Sequence, residues 1–401
     1  MKITSFDVFP CKLPEGGSVA DRGEFLVTPL HIFDDSTQML GEGFVGLRGG
    51  PIGAIIVRLR TSDGVEGFGT VGVGNGSALY ILEHSLKPVI LGANPFDVEA
   101  LWERMFRSTI YFGRKGTALE AISAVDIALW DLMGKITNQP VYNLLGGRTR
   151  ERIRVYASRL YANANLDQLA REARTFVEQG FTAVKQRFGF GPREGKPGMR
   201  RNLDLVRTVR EAIGPDIELM ADAYMGWDVA YAIEMIHRLE DADLDLTWVE
   251  EPVIPDDVNG YAQIRKAVKT PISGGEHEFT RYGFRQLIDA GAVDILQPDV
   301  NRVGGITEAR KIWALAATYG LRVIPHAGQS HNYHLVISSF QSPVAEYFPS
   351  PEEGAPLDDD TLFWDLFEGE PRAKNGYVEL SGKPGIGLEL RSDGMKRWAV
   401  A

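Results

Sequence analysis

A single cysteine, Cys11, in 401 residues excludes internal disulfides and any thiolate-rich metal site, and fits a reducing compartment. No apolar run approaches the roughly 20 residues a membrane span needs. The opening residues, Met1 to Phe6, alternate like a strand and carry no apolar signal core, so a cytoplasmic protein is expected. Positive charge is in short supply: 43 Lys and Arg face 54 Asp and Glu, a formal net charge of −11, which argues against nucleic-acid or anionic-membrane partners. No Gly-x-Gly-x-x-Gly follows the first strand and no phosphate loop occurs, which removes the usual nucleotide-binding signatures. Apolar residues are plentiful at 44%, and a chain of this length is expected to divide into more than one domain.

Two regimes follow one another along the chain. Up to about residue 120 the pattern is strand, glycine-rich loop and helix. Lys2 to Pro10 reads as a strand, and Ile55–Arg60 and Val65–Thr70 flank the turn Thr61-Ser62-Asp63-Gly64 as a hairpin. Residues 14 to 53, rich in Gly, Asp and Pro and containing His31, are expected to form a lid and specificity loop, with Val71 to Gly76 as a second capping loop. Gly116 to Ile136 reads as a helix with a broad apolar face. From about residue 150, short apolar strands alternate with amphipathic helices. The strands expected are Arg154–Ala157, Ala183–Arg187, Glu218–Asp222, Thr247–Glu250, Ile272–Glu276, Ile295–Asp299, Arg322–His326 and Val344–Tyr347, eight units of the kind a (β/α)₈ barrel needs. A doubly wound sheet is the alternative. Extended segments return after about residue 355 and are expected to pack back on the N-terminal unit.

Nearly every expected barrel strand ends in an ionisable residue: Lys185 and Arg187, Asp222, Glu250, Glu276, Asp299, His326 and Glu346. Strand C-termini converge on one mouth of a barrel. One isolated Asp there is more often a helix N-cap or a solvated charge, but three carboxylates crowded into a cleft repel strongly unless a cation sits among them. Asp222, Glu250 and Glu276 are therefore the candidate metal ligands, and their all-oxygen chemistry favours Mg²⁺ over Zn²⁺. Glu251 follows Glu250 and faces the other way, so it is assigned a structural role. Asp299 and His326 end neighbouring strands, an arrangement in which the carboxylate orients the imidazole as a general base. Lys185 and Arg187 share one face of their strand and suit a clamp for a carboxylate or enolate. Arg187 stays protonated, whereas Lys185 serves as a base only if neighbouring cations depress its pKa. His277, His331 and His334 are candidate readers of substrate hydroxyls, Arg302 a candidate substrate contact at a helix start, Tyr161 an alternative base to His326 and Lys185, and His31 part of the expected lid, each with a structural alternative.

The ordered series Ala121-Ile122-Ser123-Ala124-Val125-Asp126-Ile127-Ala128-Leu129-Trp130-Asp131, Leu144-Leu145-Gly146-Gly147, Trp248-Val249-Glu250-Glu251-Pro252, Gly275-Glu276, Gln297-Pro298-Asp299 with Gly304-Gly305, and Pro325-His326 resembles the mandelate racemase branch of the enolase superfamily over essentially the whole chain. The resemblance implies an α/β protein, a modified TIM barrel (β/α)₇β with an α+β capping domain. Its expected divisions are 1–145 for the cap, 146–355 for the barrel and 356–401 for a segment returning to the cap. It also implies Mg²⁺ on Asp222, Glu250 and Glu276, a His326–Asp299 dyad, and Glu346 hydrogen-bonded to a substrate carboxylate. A Lys or His base working with Mg²⁺ is the general pattern of enolase-superfamily sites. Tyr111 to Gly116, Phe188 to Arg200 and Pro325 to His334 are most similar to acid-sugar dehydratases, with L-lyxonate first and L-rhamnonate second as substrate. Racemases of the branch carry a second Lys where Arg187 stands, so β-elimination to a 2-keto-3-deoxy acid is favoured. An epimerase or racemase of an α-hydroxy acid, a galactonate or other aldonate or aldarate dehydratase, and a silent sugar-acid-binding protein are the alternatives. An even-numbered homo-oligomer is implied by the same resemblance.

Overall fold

The computed structural model describes residues 1–12, 23–33, 52–72, 76–349 and 365–400. Most of the expected lid, residues 13–22 and 34–51, and the centre of the second capping loop, residues 73–75, lie outside them.

The N-terminal region forms an antiparallel sheet of β1 (Ile3–Lys12), β2 (Ile52–Thr61) and β3 (Glu66–Val71), with β2 central. The long helix Thr117–Thr137 packs across this sheet. Contact is close enough that a Cβ on Gly69 would stand 1.9 Å from the Ala124 carbonyl oxygen, so only glycine fits there. The helix is buried nearly all round rather than on one face, because the barrel covers the side the sheet leaves open. The chain's end returns to β1: the Val400 amide donates to the Pro10 carbonyl at 2.8 Å, and Cys11 bridges Ala399.

Eight parallel strands follow: β4 (Ile153–Leu160), β5 (Ala183–Arg187), β6 (Glu218–Asp222), β7 (Leu246–Glu250), β8 (Ile272–Gly274), β9 (Ile295–Leu296), β10 (Arg322–Val323) and β11 (Ala345–Tyr347). A helix separates each from the next, so the architecture is (β/α)₇β. Ladders join β4 through β10 in sequence order, and β11 pairs with β4. Among the described residues the β10–β11 junction has no ladder, but the Val323 amide crosses it to the Gln341 carbonyl at 3.1 Å.

The later strands are shorter than their sequence suggests. Expected strands ending at Glu276, Asp299 and His326 leave their ladders at Gly274, Leu296 and Val323. Gly275 takes φ 122°, and Pro298 and Pro325 have no N–H to donate to a neighbour. The reactive side chains of this half therefore sit on short loops beyond the sheet.

Candidate active site

Two stacked layers fill the barrel. Tyr156, Ala183, Met220, Trp248, Ile295, Ile324 and Val344 form a buried apolar cluster. Side chains two residues apart on a strand share a face, so the next layer toward the C-terminal mouth is Ser158, Lys185, Asp222, Glu250, Gln297, His326 and Glu346. An apolar floor therefore supports a polar ring.

Lys185 is the hub of that ring. Its fully buried ammonium contacts a Glu250 carboxylate oxygen and lies 2.9 Å from Glu346 and 3.8 Å from Asp222. Burial opposes its charge, but Glu250 and Glu346 outweigh that and hold it well above the usual lysine range. Glu250 receives further hydrogen bonds from Trp248 Nε1 at 3.0 Å and Gln297 Nε2 at 2.7 Å. Glu346 accepts from the Ala327 amide at 2.7 Å. The Arg187 guanidinium stands 3.9 Å from Asp222 and over the Tyr161 ring, 4.6 Å from its centroid.

A second cluster occupies the opposite side. His326 Nδ1 lies 2.8 Å from Asp299 Oδ2, and its Nε2 faces Glu276 at 3.4 Å. Burial disfavours the imidazolium, but Glu276, the Asp299 hydrogen bond and Glu346 overcome this and raise the pKa to about 9. Arg302 pairs with both Glu276 (3.3 Å) and Asp299 (3.5 Å). His277 Nδ1 meets Glu251 at 2.6 Å while its Nε2 is 3.5 Å from Glu276. Burial would raise Glu276, but His326, His277 and Arg302 hold it well below the usual carboxylate range.

These acids suit a hard cation. Burial first, and then repulsion from Glu276, push Asp222 upward despite Lys185 and Arg187. Glu250 reaches about 7, driven by burial and by Asp222, Glu346 and Glu276 against the pull of Lys185. A divalent ion among Asp222, Glu250 and Glu276 would relieve that repulsion with oxygen donors alone. Among the described residues the group whose donor atoms converge within 4.8 Å of one another is Glu251, Glu276 and His277, so of the three expected ligands only Glu276 belongs to it. His277 already bridges both of its carboxylates there, and its raised pKa, won by Glu251 and Glu276 against burial, marks it as a cationic bridge.

The remaining candidates divide. Tyr161 and Arg302 lie in the clusters just described. His31 is buried on the short helix Pro29–Ile32, where its Nδ1 accepts from the Thr28 amide at 3.0 Å. That segment docks on the loop after β5: the Val27 amide donates to the Phe188 carbonyl. His334 turns toward the cap, accepting from the Tyr142 amide at 3.0 Å and stacking on the Tyr142 ring. His331 is buried beside it in a cavity lined by Thr70, Gln329 and Phe367. Burial lowers both imidazoles to about 4, and His331 Nε2 is buried without a hydrogen-bond partner. Ser158, Trp248 and Gln297 escape a reading by strand ends alone, although each stands two residues from an apolar floor residue or from Glu250 or Asp299.

A capped (β/α)₇β barrel with acids on its third, fourth and fifth strand ends and a His–Asp pair beyond them defines a class of enzyme that acts on carbon acids. The model of the enolase C-terminal domain-like family matches residues 168–394, and that of the mandelate racemase / muconate lactonizing enzyme N-terminal domain matches 52–146. The chain belongs to the enolase superfamily, in its mandelate racemase group. It is 41% identical over 347 residues to L-rhamnonate dehydratase from Saccharopolyspora erythraea, covering 85% of this chain and 84% of that one. Among solved structures, rhamnonate dehydratase from Gibberella zeae complexed with Mg superposes with a TM-score of 0.87 at 34% identity, covering 99% and 96% of the two chains. The 3,6-anhydro-D-galactonate cycloisomerase from Zobellia galactanivorans superposes with a TM-score of 0.80 at 31% identity, covering all of both chains.

Proposed function

We propose that the protein is a Mg²⁺-dependent acid-sugar dehydratase that converts L-rhamnonate to its 2-keto-3-deoxy acid. The observation that carries the reading is the His326–Asp299 pair facing Glu276, across the mouth from the Lys185 and Arg187 cations. Relatives named for L-rhamnonate support that substrate over L-lyxonate, which local sequence features put first.

Asp222, Glu250 and Glu276 would hold Mg²⁺, which would supply Lewis-acid stabilisation of the substrate carboxylate. Lys185 and Arg187 direct fixed positive charge at the same carboxylate, where negative charge grows as the C2 proton leaves. Glu346 positions Lys185 and, through its bond to the Ala327 amide, the residue after His326. Asp299 accepts the His326 Nδ1 proton; Glu276, the charge that does most to raise this imidazole to about 9, would be committed to the cation when one is bound, and a neutral Nε2 then takes the C2 proton. The same imidazole returns that proton to the 3-hydroxyl as it departs as water, so elimination is syn and the enol product tautomerises to the keto acid. Lys185 is the poorer candidate for the base because Glu346, which is not among the metal-holding acids, stays 2.9 Å from its ammonium. Tyr161, whose ring lies under the Arg187 guanidinium at 4.6 Å, is assigned to substrate contact. With no second base among the described residues of the mouth, racemisation or epimerisation is disfavoured.

A screen of mono- and diacid sugars with Mg²⁺, followed by product NMR, tests the reading. L-Rhamnonate is expected to yield keto acid fastest and L-lyxonate more slowly. Absence of keto acid from every sugar would overturn it. His326→Asn should abolish turnover while leaving Mg²⁺ binding largely intact. Among the described residues no helix is long and apolar enough to cross a membrane. A cytoplasmic, even-numbered homo-oligomer is the accompanying proposal, to be checked by light scattering.

A further inference from the structure

Asn301 lies between the two loops that carry the base pair. It is buried, and its backbone amide donates to Asp299 Oδ1 at 2.8 Å. Asp299 uses its other oxygen for His326. The Asn301 side-chain amide donates to Gln329 Oε1 at 2.7 Å, and Gln329 sits three residues beyond His326 on the same loop. A closed ring results: Asp299 to His326, along the chain to Gln329, across to Asn301 and back to Asp299. The cap adds a third contact, with Thr70 Oγ1 donating to Asn301 Oδ1 at 3.4 Å.

The ring has a physical task. Beyond their ladders the two segments are joined, among the described residues, by only two backbone hydrogen bonds, from the Ile324 amide to the Leu296 carbonyl at 2.9 Å and from the His326 amide to the Pro298 carbonyl at 3.2 Å, the latter within the single Asp299–His326 bridge, and none is made beyond His326 by the loop that carries Gln329. Ala327 holds φ 71°, a left-handed conformation uncommon for a residue with a Cβ. Asn332 steadies it by donating to the His326 and Ala327 carbonyls at 2.8 and 2.7 Å. That staple acts within one loop, whereas Asn301 ties one loop to the other.

We propose that Asn301, acting with Gln329, is a positioning residue that sets the His326–Asp299 geometry by clamping these two loops together. The inference rests on the dehydratase reading for its kinetic test. Asn301→Ala should lower kcat by about ten- to a hundredfold, the usual scale when a supporting partner of a reacting group is lost. KM should stay within about threefold of wild type, because Asn301 makes no contact with the Lys185 and Arg187 clamp. Asn301→Gln and Gln329→Asn should each impair kcat, while the double variant, which restores the summed side-chain length, should recover much of it.

An unchanged kcat in Asn301→Ala would overturn the inference and leave the dehydratase reading standing. Equal losses in kcat, substrate affinity and thermal stability, with no recovery in the double variant, would overturn it in favour of simple packing. If the wild type itself makes no keto acid, the dehydratase reading falls, and the clamp is judged by crystal structures. A His326–Asp299 separation still at 2.8 Å in Asn301→Ala would then overturn the clamp, and a lengthened one would uphold it.

Discussion

Asp126 and Asp131 on the capping helix are as deeply buried as Asp222, Glu250 and Glu276 at the barrel mouth, but their partners differ in kind. Asp131 accepts from the Phe68 and Ile386 amides at 2.9 Å each and pairs with Lys135 at 2.9 Å. One carboxylate thus joins the helix to the hairpin and to the returning C-terminal segment. Asp126 accepts from the Thr307 amide at 2.8 Å at the start of the barrel helix Gly305–Thr318. Ser123 Oγ accepts from the Gly304 amide at 2.9 Å, and Trp102 Nε1 donates to the Gly304 carbonyl at 2.7 Å. These acids bond to fixed backbone across element boundaries and act as fasteners. The mouth acids instead pair chiefly with ionisable side chains: Asp222 and Glu250 with Lys185, and Glu276 with Arg302, His277 and His326. Burial alone does not separate glue from chemistry; the identity of the partner does.

The contrast breaks most visibly if a mouth acid is neutralised. Glu276→Gln should cost on the order of 10³-fold or more in turnover, comparable to losing a principal electrostatic contact. The metal-free variant should melt no more than a few degrees from wild type, and the Mg²⁺-dependent gain in melting temperature should vanish. A variant that keeps near-normal activity would place this acid with the fasteners. Asp131→Ala should do the reverse. It leaves the Phe68 and Ile386 amides and the Lys135 ammonium without their acceptor, so denaturant titration should show about 3–5 kcal/mol of lost stability, while kcat per folded molecule stays close to wild type.

The two kinds of histidine sharpen the same distinction. His334 needs an unprotonated Nδ1 to accept the Tyr142 amide, and its folded pKa of about 4 lies below the ordinary value of 6.5. Between those values the unfolded chain binds the proton and the folded chain does not. Stability should therefore fall as pH drops from 6.5 toward 4, by roughly 3 kcal/mol from this group at the limit. Urea midpoints measured across that window should slope downward in wild type and less so in His334→Gln; equal slopes would contradict the assignment. The smallest effect is expected at Glu218, which opens the strand that Asp222 closes. It pairs with Arg154 at 3.0 Å at the far rim, and both side chains are partly exposed. Glu218→Gln should change stability by less than about 1 kcal/mol and leave turnover untouched.

Much of this was legible in the chain. All eight barrel strands and the capping helix follow from apolar periodicity, since period 2 and period 3.6 each leave a clear trace in residue order. The strand-end acids and the His326–Asp299 pair followed from the rule that parallel strands deliver their C-termini to one mouth. Gln297 and Trp248, which hold Glu250, were within reach of the same period-2 argument. The tethers of Asp126 and Asp131 were not, because their partners lie 63 to 255 positions away in sequence and an Asp in an apolar helix does not announce what it bonds.

Residue order by itself determined the barrel class, the polar ring above an apolar floor, and the types of charge that ring holds, because each depends only on spacing along a strand. Tertiary structure alone decided that Lys185 is ringed by three acids, that His334 turns to the cap while His331 lines a small cavity, and that Asn301 bonds across to the loop of His326. Those outcomes depend on distances of about 3 Å between residues far apart in sequence, and hydrogen bonds and local pKa values change steeply over that range.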